Sequence, residues 1–256
     1  MFHHQGDSRT HRQNRLLAGY LAAVGGFVNS AGFLLVGSFT SHVTGNVGRL
    51  ALDVATHQLD AALFALTMVA AFFGGAFAAS MMIESDFVRA PYAYGSVLAT
   101  EAGLLVAFTL LAGLTRTEHP RIQDAEAAIL CGAMGMQNSL VTRLSGAVVR
   151  TTHLTGVITD LGIESARWFR WWRGSVSRRV QIKLAFGRSQ PERPAPEKAA
   201  LLGTIAGAFT LGAGAGAIAT THLGHAALTL PILAVGAFAA YAFVTGRELD
   251  RPDSRA

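Results

Sequence analysis

Charge is scarce in this chain: 14% of its 256 residues are Asp, Glu, Lys or Arg, against roughly 25% in an average soluble domain. With 51% apolar residues, that scarcity excludes a disordered chain, which needs low hydrophobicity and high charge. It also argues against an ordinary soluble globule. Cysteine is nearly absent, and the lone Cys131 excludes a disulfide framework and a Cys-based zinc site. Also missing are the G-x-S-x-G elbow, the Walker loop, HExxH and the dinucleotide fingerprint. No catalytic residue, metal ligand or cofactor is therefore assigned, and His3, His4 and His11 stand in a polar tail without a role.

The charges that are present cluster at the N-terminus, between 167 and 198, and after 246. The net charge is +5, and nearly half of the 21 Lys and Arg lie between Arg167 and Lys198, beside Trp168, Trp171 and Trp172. Basic residues mixed with Trp suit a membrane interface better than nucleic acid once apolar spans flank them. The expected partner of this 167–198 loop is the anionic lipid headgroup. The positive-inside rule then puts the loop and both termini in the cytoplasm. Within the loop, WFRWWRG and RRVQIKLAFGR suit an interfacial helix, and QPERPAP a Pro-punctuated link.

A membrane helix needs about 20 apolar residues to cover roughly 30 Å of hydrocarbon. Six stretches qualify: Leu16 to Gly37, Ala61 to Ile83, Ala93 to Leu114, Ala125 to Leu144, Ala199 to Thr220 and Ala226 to Thr245. The first follows Arg9, Arg12 and Arg15 but is too long for a signal-peptide core, and is read as a retained span. Gly203 and Gly207 form a GxxxG pair, with Gly212, Gly214 and Gly216 beyond, a pattern for close helix packing. Pro231, early in the sixth stretch, kinks it or sits in its first turn.

Part of the sequence occurs twice. GFVNSAGFLLVGSFTSHVTGNVGRLALDVA starts at Gly26, and GMQNSLVTRLSGAVVRTTHLTGVITDLGIESA at Gly135. Both read G-x-x-N-S followed by H-x-T-G, with Asn29 and His42 in one copy and Asn138 and His153 in the other. Residues 16–114 and 125–245 are accordingly two membrane repeats, joined by 115–124 and flanked by polar tails 1–15 and 246–256. Each H-x-T-G opens a short helical pattern, Thr44 to Ala55 and Thr155 to Ala166. Thr44 and Thr155 suit an N-cap, and Gly45 and Gly156 permit close backbone approach. About 12 residues reach only about 18 Å, and both segments carry charges, so they read as half-helices lining an enclosed space. The fold expected is an all-α polytopic bundle of six spans plus two half-helices. Its repeats are inverted, as in many secondary transporters. Were the half-helices to cross, eight spans and parallel repeats would follow.

The G-x-x-N-S turn of the first span, T-G-N at Thr44, Gly45 and Asn46, and the later Gly135, Gln137, Asn138, Thr152, Thr155 and Gly156 resemble the signature of the YoaK-like family of bacterial membrane proteins. That family is also called domain of unknown function 1275. The resemblance runs from about residue 15 to 245 and implies a multi-pass bacterial inner-membrane protein, with no established activity or substrate. Relatives carry an acid where this chain has Asn29, so no proton relay is implied at that position.

Two half-helix N-termini aimed at one space would each present unpaired N–H groups and about half a positive charge. Asn29, His42, Thr44, Gly45, Asn46, Asn138, His153, Thr155 and Gly156 thus form the expected binding site for a small anionic or polar solute. Asn, Thr and His in a bundle also simply join helices, and duplication copies packing residues as faithfully as a site. Glu101, inside the third span, is a candidate proton carrier or a partner for Arg49. Arg49 is also four residues before Asp53, and Asp160 takes its aligned position. The first function expected is a secondary transporter. The alternatives are a receptor or partner subunit and, behind it, a membrane metal enzyme. Homo-oligomerisation is open.

Overall fold

Gly37 and Gly224 mark where two long helices stop. Both adopt positive φ, +73° and +56°, a conformation glycine enters without steric cost. Their N–H groups close the last turns on Phe33 O and Thr220 O. The structure, a computed structural model, describes residues 11–84, 88–89, 92–114, 120–144, 154–177 and 193–249. Over these it is helical, without a strand. In chain order come α1 (His11–Val36), α2 (Val43–Ala55), α3 (Leu59–Glu84), α4 (Ala93–Leu114), α5 (Pro120–Leu144), α6 (Leu154–Ser177), α7 (Pro196–Leu223) and α8 (Thr229–Leu249). A 3-10 turn, Gly224–Leu228, joins the last two. Pro231 sits in the first turn of α8, where its missing N–H breaks no helical bond.

Among the described residues four helical stretches are long and apolar enough to cross a membrane: Arg15–Val36, Leu59–Glu84, Ala93–Leu114 and Pro196–Gly246, the last holding α7, the 3-10 turn and α8. Of the expected spans, α5 falls short. Glu126, Gln137 and Asn138 interrupt its apolar run, and it packs against α1, α3 and α4. The outer surface is correspondingly apolar, with Phe73 70% and Leu211 76% exposed. Many helical Thr hydroxyls, such as Thr67, Thr109 and Thr204, donate to the carbonyl one turn back, which satisfies those donors within an apolar setting. This is a membrane-like helical protein.

The main packing pairs are α1 with α7 and α3 with α5, and α4 lies against α8 and α5. At each main pair glycines let backbones touch. A methyl at Gly26 would meet Phe209 O, and one at Gly212 would meet Ala23 O. Likewise, a methyl at Gly135 would meet Phe72 O, and one at Gly75 would meet Gly132 O. Of the small-residue pattern expected for close packing on α7, Gly212 and Gly216 are used, and Gly203, Gly207 and Gly214 are not. The latter three have no described neighbour within 4 Å of a would-be Cβ, and the contact with α1 is made by Gly212 and Gly216. The reason is rotational: those two fall on the face of α7 turned to α1, and Gly203 and Gly207 on its exposed face.

Two further expectations are corrected. The second short helix does not end at Ala166. α6 continues to Ser177, because neither Gly nor Pro stands between Ala166 and Gly174. Thr44 is not an N-cap: α2 starts at Val43 with His42 in the cap position and no side-chain cap bond. Thr155 lies equally inside α6, which starts at Leu154. α2 packs on α3 and α6 on α7. α2 ends at a tight turn in which His57 takes φ 60° and Gln58 N–H donates to Asp53 O at 2.8 Å.

Candidate functional site

The loop from α1 to α2 is held from below by Asn29. Its Oδ1 accepts from Ser41 N–H at 3.1 Å and from Ser41 Oγ at 2.9 Å. Phe39 stacks on Phe33 at 4.4 Å between ring centres and meets the His42 ring edge-on. The first helical bond of α2 runs from Asn46 N–H to His42 O at 3.1 Å. The N–H groups of Val43, Thr44 and Gly45 thus have no carbonyl one turn earlier, which concentrates partial positive charge at this end. Gly45 makes room for the His42 imidazole, whose Cδ2 and Nε2 occupy the space a Cβ would need.

Above this loop lies a cleft of about 530 Å³. One wall is Asn29, Phe39, Ser41 and His42; the other is the first two turns of α6, with Leu154, Thr155, Ile158 and Thr159. Phe209 of α7, the residue whose carbonyl abuts Gly26, completes the lining. The loop that leads into α2 and the start of α6 therefore border one space. It offers the Asn29 amide, the Ser41 and Thr155 hydroxyls and the His42 imidazole among aromatic and aliphatic walls. Such a mixture fits a small solute with a polar or charged group. The Thr159 hydroxyl is already donated to Thr155 O.

Of the residues expected at the site, Asn29, His42 and Thr155 line the cleft. Thr44 and Gly156 are exposed and do not line it. Asn46 is buried, with Ser38 Oγ donating to its Oδ1 at 3.5 Å. The Asn138 amide donates back to Met134 O within α5. His153 lies outside the described residues. Arg49 sits 3.6 Å from Asp53 on its own helix, so the pairing with Asp160 or Glu101 does not form. Asp160 has no ion pair among the described residues. Glu101 is wholly buried in α4, and neither carboxylate oxygen has a hydrogen-bond partner among them.

Sequence reasoning missed Ser41, Phe39, Ile158, Thr159 and Phe209. Thr159 was within reach, one turn beyond Thr155 on the same face. Phe209 had a subtler signal: Ala208–Gly212 reads A-F-x-x-G, as does Ala71–Gly75. Among the described residues no three His, Cys, Asp or Glu gather into a metal-ligand cluster.

No curated protein and no solved structure matches this chain. The family model described as protein of unknown function (DUF1275) matches residues 17–241, nearly the whole chain and every helix that borders the cleft, and the protein belongs to that family.

Proposed function

We propose that this is a secondary transporter for a small anionic or polar solute, with the cleft between the α1–α2 loop and α6 as its translocation site. One observation carries the reading: His42, at the N-cap of α2, and Leu154 and Thr155, at the start of α6, lie far apart in sequence and line a single cavity. The helix pairs support a twofold relation between halves. α1 on α7 corresponds to α5 on α3, and α2 on α3 to α6 on α7. The glycine contacts keep the same spacing, with Gly26 and Gly212 answering to Gly135 and Gly75. In this reading α1, α3, α4, α7 and α8 cross the membrane, α5 crosses with its polar residues shielded by α1, α3 and α4, and the repeats are inverted. α2 and the first half of α6 enter from opposite sides. The basic second half of α6 lies along the cytoplasmic face of a bacterial inner membrane, and both termini share that side.

The test is a thermal-shift screen of small anions and polar solutes on the full chain in detergent, followed by flux into proteoliposomes for each hit. A transporter gives solute-dependent accumulation that His42→Ala together with His153→Ala abolishes. A receptor or partner subunit gives a co-purifying protein and no flux, which would end the transport reading.

A further inference from the structure

A second cavity, of about 520 Å³, opens where the charged half of α6 meets the start of α7, and five of its lining residues are ionisable: Glu164, Arg167, Arg170, Arg193 and Lys198. The lone acid is already engaged. Glu164 Oε1 lies 2.8 Å from Arg167 Nη1 and 3.0 Å from Lys198 Nζ. The Arg193 guanidinium lies over Trp168 and Trp171, at 5.8 and 5.6 Å from the ring centres. The two rings meet edge to face at 5.5 Å. Arg170 has no acidic partner among the described residues. Four cations around one carboxylate repel one another, so the cluster does not exist for the stability of the α6–α7 contact alone. The fold does not require the charge either. In the register set by H-x-T-G, the turn after α2 carries Thr56 and the first position of α3 carries Leu59 where α6 carries Arg167 and Arg170.

Position then selects the ligand. The pocket sits at the first residues of an apolar stretch able to cross a membrane. On the same segment of α6, Phe169 and Trp172 are exposed, as aromatic side chains are at a headgroup boundary. We propose that this pocket binds the phosphodiester of an anionic phospholipid headgroup. Arg170 and Arg193 supply planar donor forks, and Trp168 and Trp171 hold Arg193 in place. The site is separate from the cleft and stands or falls without the transport reading.

The three tryptophans of the chain, Trp168, Trp171 and Trp172, all lie on this helix, so intrinsic fluorescence of the full-length protein reports the pocket selectively. The experiment titrates detergent-solubilised protein with phosphatidylglycerol, phosphatidylcholine or inorganic phosphate. Phosphatidylglycerol is expected to change the emission saturably, phosphatidylcholine and phosphate not. Arg170→Gln with Arg193→Gln raises the half-saturating concentration about tenfold or more, the loss expected from removing charge-assisted hydrogen bonds. Arg170→Gln alone shows part of that effect in a protein whose ion pairs are all intact. Arg173→Gln removes one charge from the same helix outside the pocket and stays within about twofold of the parent, as surface charges contribute little. An unchanged double variant, or an equal loss in Arg173→Gln, would overturn the site. An equal response to inorganic phosphate would overturn the lipid as its ligand.

Discussion

The His42 imidazole rests on Gly45, one turn into the helix that His42 begins, and its Cδ2 and Nε2 fill the place where any other residue would carry a Cβ. That contact fixes one wall of the cleft. Gly45→Ala should therefore swing the ring away and weaken solute binding by about tenfold, the equivalent of one lost hydrogen bond to a charged group. Stability changes little, because the helix propensity gained offsets the crowding. Gly48→Ala is the control: no described atom lies within 4 Å of a Cβ there, so it should stabilise α2 by about 0.5–1 kcal/mol and leave binding alone. Thermal unfolding with and without solute reads both.

The glycines at the helix crossings make a sharper contrast. Gly26→Ala and Gly135→Ala each drive a methyl into a carbonyl oxygen of the facing helix, and rigid backbone cannot step aside as a side-chain tip can. Each should destabilise by about 1–3 kcal/mol, the range for overpacking. Gly203→Ala and Gly207→Ala, on the open face of α7, should be neutral or slightly stabilising. Melting curves in one detergent compare the four. Equal losses at all four positions would mean that α7 presents a different face to α1.

Much of this architecture was readable beforehand, and the part that was not has physical causes. Apolar length located α1, α3, α4, α7 and α8 within a few residues, and the repeated H-x-T-G located the starts of α2 and α6. Composition could not show how α7 turns about its axis, so it marked five glycines of this helix for packing without telling which of them meet α1. Gly212 and Gly216 make the contact, and Gly203 and Gly207 lie on the other side of the same helix. Capping failed for a related reason. Thr44 and Thr155 are good cap residues by propensity, but each helix starts earlier. At the site, sequence order supplied His42 and Thr155, but Phe209 reaches the cleft only through the packing of α7 on α1.

Glu101 tests the reading of the buried acid. An ionised carboxylate with no partner is costly in an apolar interior, so its neutral isostere loses no stability. Glu101→Gln should melt at the parental temperature or above. If Glu101 carries the coupling proton, the same variant loses the dependence of flux on a pH gradient while still binding solute. Unaltered proton coupling in proteoliposomes would remove Glu101 from the relay.

Glu164 lies on α6, which is not among the four apolar stretches, and its carboxyl is held below the usual carboxylate range. The hydrogen bond from Lys198 is the largest cause, with the positive charges of Arg167 and Lys198 acting in the same direction. A lowered folded-state value means that the unfolded chain takes up the proton first as pH falls. The stabilising contribution of Glu164 is therefore complete above the ordinary Glu value near 4.3. It fades below that value as pH drops through the folded-state one. Acidification should loosen α6 from the start of α7 and lower the melting temperature, with Trp168 and Trp171 emission changing in step. Glu164→Gln keeps the shape of the side chain but cannot titrate. It should melt lower than the parent at neutral pH and lose this part of the acid sensitivity, so the two melting curves converge as the pH falls through the lowered folded-state value. Parallel curves over the whole range would show that another group drives the acid transition.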